Sequence, residues 1–160
     1  MSTPSIVPLH IFRFRVDVTD DSLSQGPQGS PVQMSFAECT GLEATMEPKT
    51  IKEGGRNYGA AQRAGGITFA TVVLKRGVST DRGMWQIFNA VASGQFAPRL
   101  QVTVTLLDGS QQAIMAWQLA HAMPVKFKFA DLNGRGVEVG IEELHFVHEG
   151  LSGSLKENSR

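Results

Sequence analysis

From Leu100 to Leu106 the chain alternates without a miss. Leu100, Val102, Val104 and Leu106 are apolar, and Gln101, Thr103 and Thr105 between them are polar. A period of two gathers the apolar side chains on one face of an extended strand, whereas a helix would scatter them around its circumference. A strand of this kind buries one face and leaves the other polar, the habit of antiparallel sheets. The pattern recurs along the chain. His10–Val18 sets Ile11, Arg13, Arg15 and Asp17 on one side and Phe12, Phe14, Val16 and Val18 on the other. Val32–Cys39 alternates through Met34 and Phe36, and Val125, Phe127 and Phe129 alternate with Lys126 and Lys128.

Turn signals punctuate these runs. Asp108–Gly109 reads as a hairpin turn with Gln111–His121 as the partner strand, which carries Trp117. Met123–Pro124 is expected to interrupt that strand, because proline cannot donate to a ladder. After an Asn133–Gly134 turn the last strand is expected over Val137–His148, with a frayed tail over Glu149–Arg160. Only Ser79–Ala92 changes period: Met84, Ile87, Phe88 and Val91 make one helical stripe, with Ser79 or Thr80 as cap and Gly94 as stop. The 17 glycines, against one tyrosine and two tryptophans, suit a chain of many reversals. The expected fold is mainly β: a small antiparallel β-barrel or sandwich of about eight strands, with one helix over residues 79–92 closing one end. At 160 residues it reads as a single domain with a core over about 10–150 and a flexible tail over 151–160.

One stretch does not fit a simple meander. EPKTIKEGGRNYGAAQRAGGITFATVVLKRG, from Glu47 to Gly77, places a long glycine-punctuated loop between two strand-like flanks, Thr45–Glu53 and Ile67–Lys75. Long structureless loops are uncommon inside compact domains and are usually lids, binding loops or pieces that engage something outside the domain. The loop, roughly Pro48–Gly66, is therefore expected to be a protruding interaction arm. Its bland reading is a flexible surface loop.

The residues argue against several chemistries. The single cysteine, Cys39, permits no internal disulfide and no cysteine-based zinc site. His145 and His148 lie three apart in an expected strand and point to opposite faces, so no metal is assigned. Glu142 and Glu143 diverge in the same way, and no serine sits in a G-x-S-x-G setting, so no catalytic residue and no cofactor is assigned. The glycines of the loop lack the GK[ST] ending of a phosphate cradle. Fifteen Lys plus Arg balance 15 Asp plus Glu, which gives no field toward nucleic acid, and the alternation puts Lys126 and Lys128 on the face opposite Phe127 and Phe129. No specific nucleic-acid recognition is expected. No apolar run reaches the roughly 18 residues of a membrane helix, so membrane insertion of the monomer is not expected either, and the first residues lack a signal-peptide pattern.

Taken in order, FAECTGL (Phe36–Leu42), IKEGGRN (Ile51–Asn57), LKRG (Leu74–Gly77) with a helix and Trp85 after it, Trp117 followed by AMPVK (Ala122–Lys126), and VEVGIEELHFVHEG (Val137–Gly150) resemble the tail tube protein family of contractile phages and phage-tail-like injection particles. The haemolysin-coregulated proteins of type VI secretion are similar in fold by the same analogy. The resemblance implies a structural protein, not an enzyme: a barrel-like subunit that forms homohexameric rings, which stack into a hollow tube driven by a contracting sheath. Implied partners are copies of itself, sheath and baseplate proteins, and a tape-measure protein or cargo in the lumen. The implied place is a particle assembled in the bacterial cytoplasm and released outside the cell. Glu53, Gly54, Gly55, Arg56, Asn57, Tyr58 and Arg63 become the expected inter-subunit contact, and Arg13, Arg15 and Asp17 are expected to face lumen or neighbour. The glycine- and alanine-rich Ala60–Gly66 (AAQRAGG) and the long polar surface loop expected over Asp20–Pro31 also fit a specialised tube-initiator ring at the baseplate. A reading from a different class is a small-ligand-binding β-barrel, on the strength of Trp117 and the apolar strand faces.

Overall fold

The computed structural model describes residues 13–20, 32–93 and 99–155. Most of the polar loop expected over Asp20–Pro31 and the expected helix stop Gly94 lie outside them. The elements are β1 (Phe14–Asp20), β2 (Val32–Met34), β3 (Glu38–Thr40), β4 (Ala44–Met46), β5 (Lys49–Ile51), β6 (Ala61–Arg63), β7 (Ile67–Phe69), β8 (Val72–Gly77), α1 (Gly83–Ala92), β9 (Leu100–Leu107), β10 (Ala113–Lys128), β11 (Ile141–Val147) and β12 (Gly150–Leu155). The fold is mainly β with one helix, and the strand pairings are antiparallel. The described strands number twelve, more than the alternation suggested. Val32–Cys39 splits into β2 and β3, and the arm holds short strands of its own.

Eight strands make the body, in the order β2-β1-β9-β10-β11-β8-β3 with β12 also on β10. The two ends of that path, β2 and β3, are consecutive in the chain, but no ladder joins them. The sheet therefore wraps into an open, sandwich-like body and not a hydrogen-bonded cylinder.

A long ribbon ties the two halves together. β10 is 16 residues long. Its first half pairs β9 on one side and β12 on the other, and its second half pairs β11. Ala120 opposes Gly150 and Met123 opposes Val147, so β11 and β12 run past β10 in one register with only a local break between them. Three expectations are corrected here. Proline does not end β10: Pro124 lies inside it, where β9 has stopped and β10 has a ladder partner on one side only, the position a proline tolerates. The tail is a strand through Leu155, held by β10. The last strands begin at Ile141, not Val137, because 137–140 form an exposed connection.

The turn after β9 is also wider than a two-residue hairpin. Asp108 Oδ1 accepts N–H bonds from Ser110 and Gln112, both at 2.8 Å, and the positive φ falls on Gln111, not Gly109. Inside the body, Val16, Val18, Met34, Val72, Leu74, Val102, Val104, Leu119, Leu144 and Phe146 form the core, and Met84 and Ile87 of α1 close it. The α1 stripe is the expected one, but the helix starts at Gly83 with no side-chain cap from Arg82. Asp81 sets the start instead: its Oδ1 accepts the Gly83 N–H at 3.0 Å, while its own N–H donates to Ser79 Oγ at 3.1 Å.

Candidate functional site

The feature that projects from the body is the segment between β3 and β8. Its root is fixed by Gly41, where φ is +88° and an added Cβ would overlap the Thr71 carbonyl oxygen. Only glycine meets both demands. From there β4 pairs β7 (Ala44↔Phe69, Met46↔Ile67), and further out β5 pairs β6 (Lys49↔Arg63, Ile51↔Ala61). The return strand carries one extra residue between the two ladders, a bulge at 64–66. There Gly65 passes so close to Glu47 that a Cβ would overlap its carbonyl oxygen, and Glu47 N–H donates to the Gly66 carbonyl at 3.2 Å. The expected structureless loop is thus corrected to a two-stranded arm, self-paired before it meets any partner. At about 3.3 Å per residue it extends on the order of 25 Å.

Six of the seven expected contact residues, 53–58, are brought together at its outer end, and Arg63 lies further in, at the inner rung of the β5–β6 ladder. Glu53 and Arg56 close the tip turn, with Arg56 N–H donating to the Glu53 carbonyl at 3.4 Å and Arg56 Nη1 lying 3.5 Å from Glu53 Oε2. Gly54, Gly55 and Asn57 fill the turn, Tyr58 is 93% exposed, and Arg63 lies on β6 opposite Lys49. Met46, Ile51 and Ile67 are exposed along the arm as well. A two-stranded ribbon is at best marginal alone in water. Apolar side chains on one imply a partner surface.

The other expected set lies on the opposite feature, a flat polar sheet face. Arg15 and Asp17 point to the side of β1 away from Val16 and Val18, and Arg15 Nε lies 3.0 Å from Asp17 Oδ2. Arg13 precedes them with the same parity, its carbonyl accepting the Leu107 N–H and its Nη1 donating to the Gly109 carbonyl at 3.2 Å. Cross-strand register extends this face over five strands: Gln33, Asp17, Thr103, Gln118 and Ser152 form one row, and Arg15, Thr105, Ala116 and Ser154 the next. Hydroxyls, amides and one ion pair make up most of its exposed part, while Thr105 and Ala116 in the second row are buried.

Sequence reading missed two features. The connection 129–140 exposes Leu132, Val137 and Val139 beside exposed Val78 and Ile141. Val137 and Val139 alternate as a strand's residues do, which is why the sequence places the start of the last strand there. The second is a buried ion cluster. Arg76, 5% exposed, lies with Nε 3.0 Å from Glu142 Oε2 (Glu142 is 6% exposed), and its Nη1 is 2.9 Å from Asp81 Oδ2. It ties β8, β11 and the start of α1 together, and it sits over the Phe36 ring at 5.5 Å.

Two histidines of β11 and its end are held structurally. His145 Nε2 lies 3.0 Å from Glu143 Oε2, and that hydrogen bond lowers the Glu143 carboxyl below its usual range. His148 Nδ1 donates to the Gly150 carbonyl at 3.0 Å, and its ring packs on Phe69 at the arm's root. Among the described residues no three His, Cys, Asp or Glu side chains form a metal-holding group, and no helix is long and apolar enough to cross a membrane. Trp117, the anchor of the ligand-barrel reading, packs against the core, whose side chains occupy the interior.

Comparison with known proteins gives this architecture a place. No curated protein matches the chain. Among solved structures, a chain of the anti-feeding prophage baseplate is similar at 25% identity with a TM-score of 0.76, covering 96% of this chain and 97% of that one. A chain of the sheath–tube complex of the extracellular contractile injection system PVC in its extended state is similar in fold at 16% identity and TM-score 0.76, with 95% of each chain covered. A crystal structure of an Hcp protein is a more distant likeness in fold, at 9% identity and TM-score 0.55, covering 89% of this chain and 99% of that one. The family model described as the T4-like virus tail tube protein gp19 matches residues 10–152, so the chain belongs to that tail tube family, a family of structural proteins and not of enzymes.

Proposed function

We propose that the chain is the inner-tube subunit of a phage tail or tail-like contractile particle, forming homohexameric rings that stack into a hollow tube. The arm carries this reading. It is the largest projection of the described chain, self-paired and lined with exposed apolar and cationic side chains, and it has no role in the core. Stacked rings are joined head to tail, and a contact of that kind propagates without closing. In the tube the polar face of β2, β1, β9, β10 and β12 lines the lumen, with Arg13, Arg15 and Asp17 on it, because a near-neutral carpet of hydroxyls and amides offers passing cargo little to bind. The sheath packs outside, the baseplate below, and tape-measure protein or cargo passes within. The particle assembles in the bacterial cytoplasm and acts after release.

A specific observation favours a second place in the same particle, the tube-initiator ring: the similar chain with 25% identity comes from a baseplate, against 16% for the sheath–tube chain. Electron microscopy of the parent particle separates the two, since a shaft subunit repeats along the rod and an initiator occupies one ring at its end. A Gln118→Cys variant labelled with a heavy-atom cluster should show density on the rod axis. Label on the outer surface would overturn the lumen assignment, and a protein that stays monomeric at all concentrations would overturn the tube itself.

A further inference from the structure

The turn at Asn133–Gly134 carries chemistry that building a tube does not use. The Gly136 N–H closes it by donating to the Asn133 carbonyl at 3.2 Å, and residues 131–139 are exposed throughout. Glycine after asparagine usually serves a turn that needs positive φ. Here it does not: neither residue has positive φ, and a Cβ built on Gly134 meets nothing within 4 Å. What the glycine leaves is an unshielded backbone nitrogen. Among the described residues the Gly134 N–H has no acceptor, so it is open to water.

The neighbouring carboxamide is held ready for that nitrogen. Asn133 Oδ1 accepts the Arg135 N–H at 3.0 Å, which draws electrons from Cγ, the carbon a nucleophile attacks. Asn133 Nδ2 lies over Gly136, 3.5 Å from where a Cβ would stand, so no side chain there blocks a departing amine. The other described asparagines lack this arrangement. Asn57 is followed by Tyr58, whose side chain flanks the nitrogen, and Asn89 by Ala90, whose N–H belongs to the ladder of α1.

We propose that Asn133 is a site of spontaneous covalent self-modification, converting to aspartate and isoaspartate through a cyclic imide. The Gly134 nitrogen, its proton taken by hydroxide, attacks Asn133 Cγ. The Cγ–Nδ2 bond breaks, and ammonia leaves with a proton from water, which restores the hydroxide. Water then opens the imide at either carbonyl, giving an aspartate or, with the chain rerouted through the side chain, an isoaspartate. No electrons are exchanged, and water is the only reagent consumed. Each conversion adds one carboxylate to the 15 Asp plus Glu that balance 15 Lys plus Arg, and it does so beside exposed Leu132, Val137 and Val139. An apolar connection thus becomes a more acidic one as the molecule ages.

The test is incubation of the full chain in heavy-oxygen water at pH 8, natively and in urea, with peptides mapped by mass spectrometry. Solvent oxygen should enter the Asn133 peptide at a native rate no more than about tenfold below that in urea, and at least about tenfold above the rates at Asn57 and Asn89. Gly134→Ala, which the open space around Gly134 accommodates, should slow the native conversion at least about tenfold with an unchanged circular dichroism spectrum. The first two ratios need no variant. Native protection beyond tenfold, a smaller margin over the other two asparagines, or a folded Gly134→Ala chain converting nearly as fast as the wild type would each overturn the proposal.

Discussion

Glu142→Ala is expected to cost more than any other surface-distant substitution of a charged residue, for reasons that can be worked from the Arg76 cluster. Arg76 and Glu142 are both almost wholly buried, with Nε and Oε2 3.0 Å apart. Removing Glu142 leaves the guanidinium buried with Asp81 as its remaining carboxylate, and Asp81 is the more exposed partner, at 37% for its side chain. Stranding one member of a buried pair typically costs about 3–5 kcal/mol, because desolvation is no longer offset. Asp81→Ala removes a half-exposed partner and the Gly83 N–H acceptor, and should cost about 1–2 kcal/mol. Replacing both buried members, as Arg76→Met with Glu142→Leu, should recover most of the loss, since a volume-matched apolar pair is often near neutral. Urea unfolding of the unassembled subunit, followed by Trp85 and Trp117 fluorescence, reads these differences. With a slope of about 2 kcal/mol per molar, Glu142→Ala should move the midpoint down by about 1.5–2.5 M. A shift under about 0.5 M, or a double variant worse than the single, would refute the reasoning.

Gly65→Ala should leave subunit stability within about 0.5 kcal/mol while suppressing rods, because the clash with the Glu47 carbonyl lies in the arm and not in the core; Gly66→Ala, with open space around it, is the control that should assemble normally. Burial raises the Cys39 thiol from an ordinary 9.0 to about 11, so its alkylation at pH 8 should run about 100-fold slower in the native protein than in urea. Because the raised value belongs to the folded state, the corresponding stability is intact below pH 9 and is lost as pH rises toward 11. Equal native and denatured alkylation rates would contradict the placement.

What was legible in the chain was what is local. The alternation of Leu100–Leu106 is a statement about neighbours two apart, and Val102 and Val104 are buried with Val16 and Val18 opposite them as that period requires. The helix stripe at Met84, Ile87, Phe88 and Val91 is local in the same sense. The features that misled depend on partners far along the chain. Pro124 looks like a strand breaker until β9 is seen to end before it, and 150–155 look frayed until β10 is seen beside them. Glycines at 54–66 suggest a loose loop, but Gly65 is there because a carbonyl of the paired strand passes against it. Arg76 and Glu142 are 66 residues apart, and nothing near either one marks it as buried. The turn at the arm's tip was legible, since turn chemistry is local; the exposed connection over 137–140 was not, because its valines alternate as a strand's do.

The arm is the centre of the account, and one measurement bears on it most directly. Residues 52–60 can be replaced by an Asn-Gly turn, which closes the β5–β6 pair without the tip. Purified wild-type and shortened proteins are then compared by electron microscopy and circular dichroism at matched concentration. Hexameric rings stacked into rods are expected for the wild type, and folded subunits or single rings without rods for the shortened chain. Rods of normal length from the shortened chain would contradict the account.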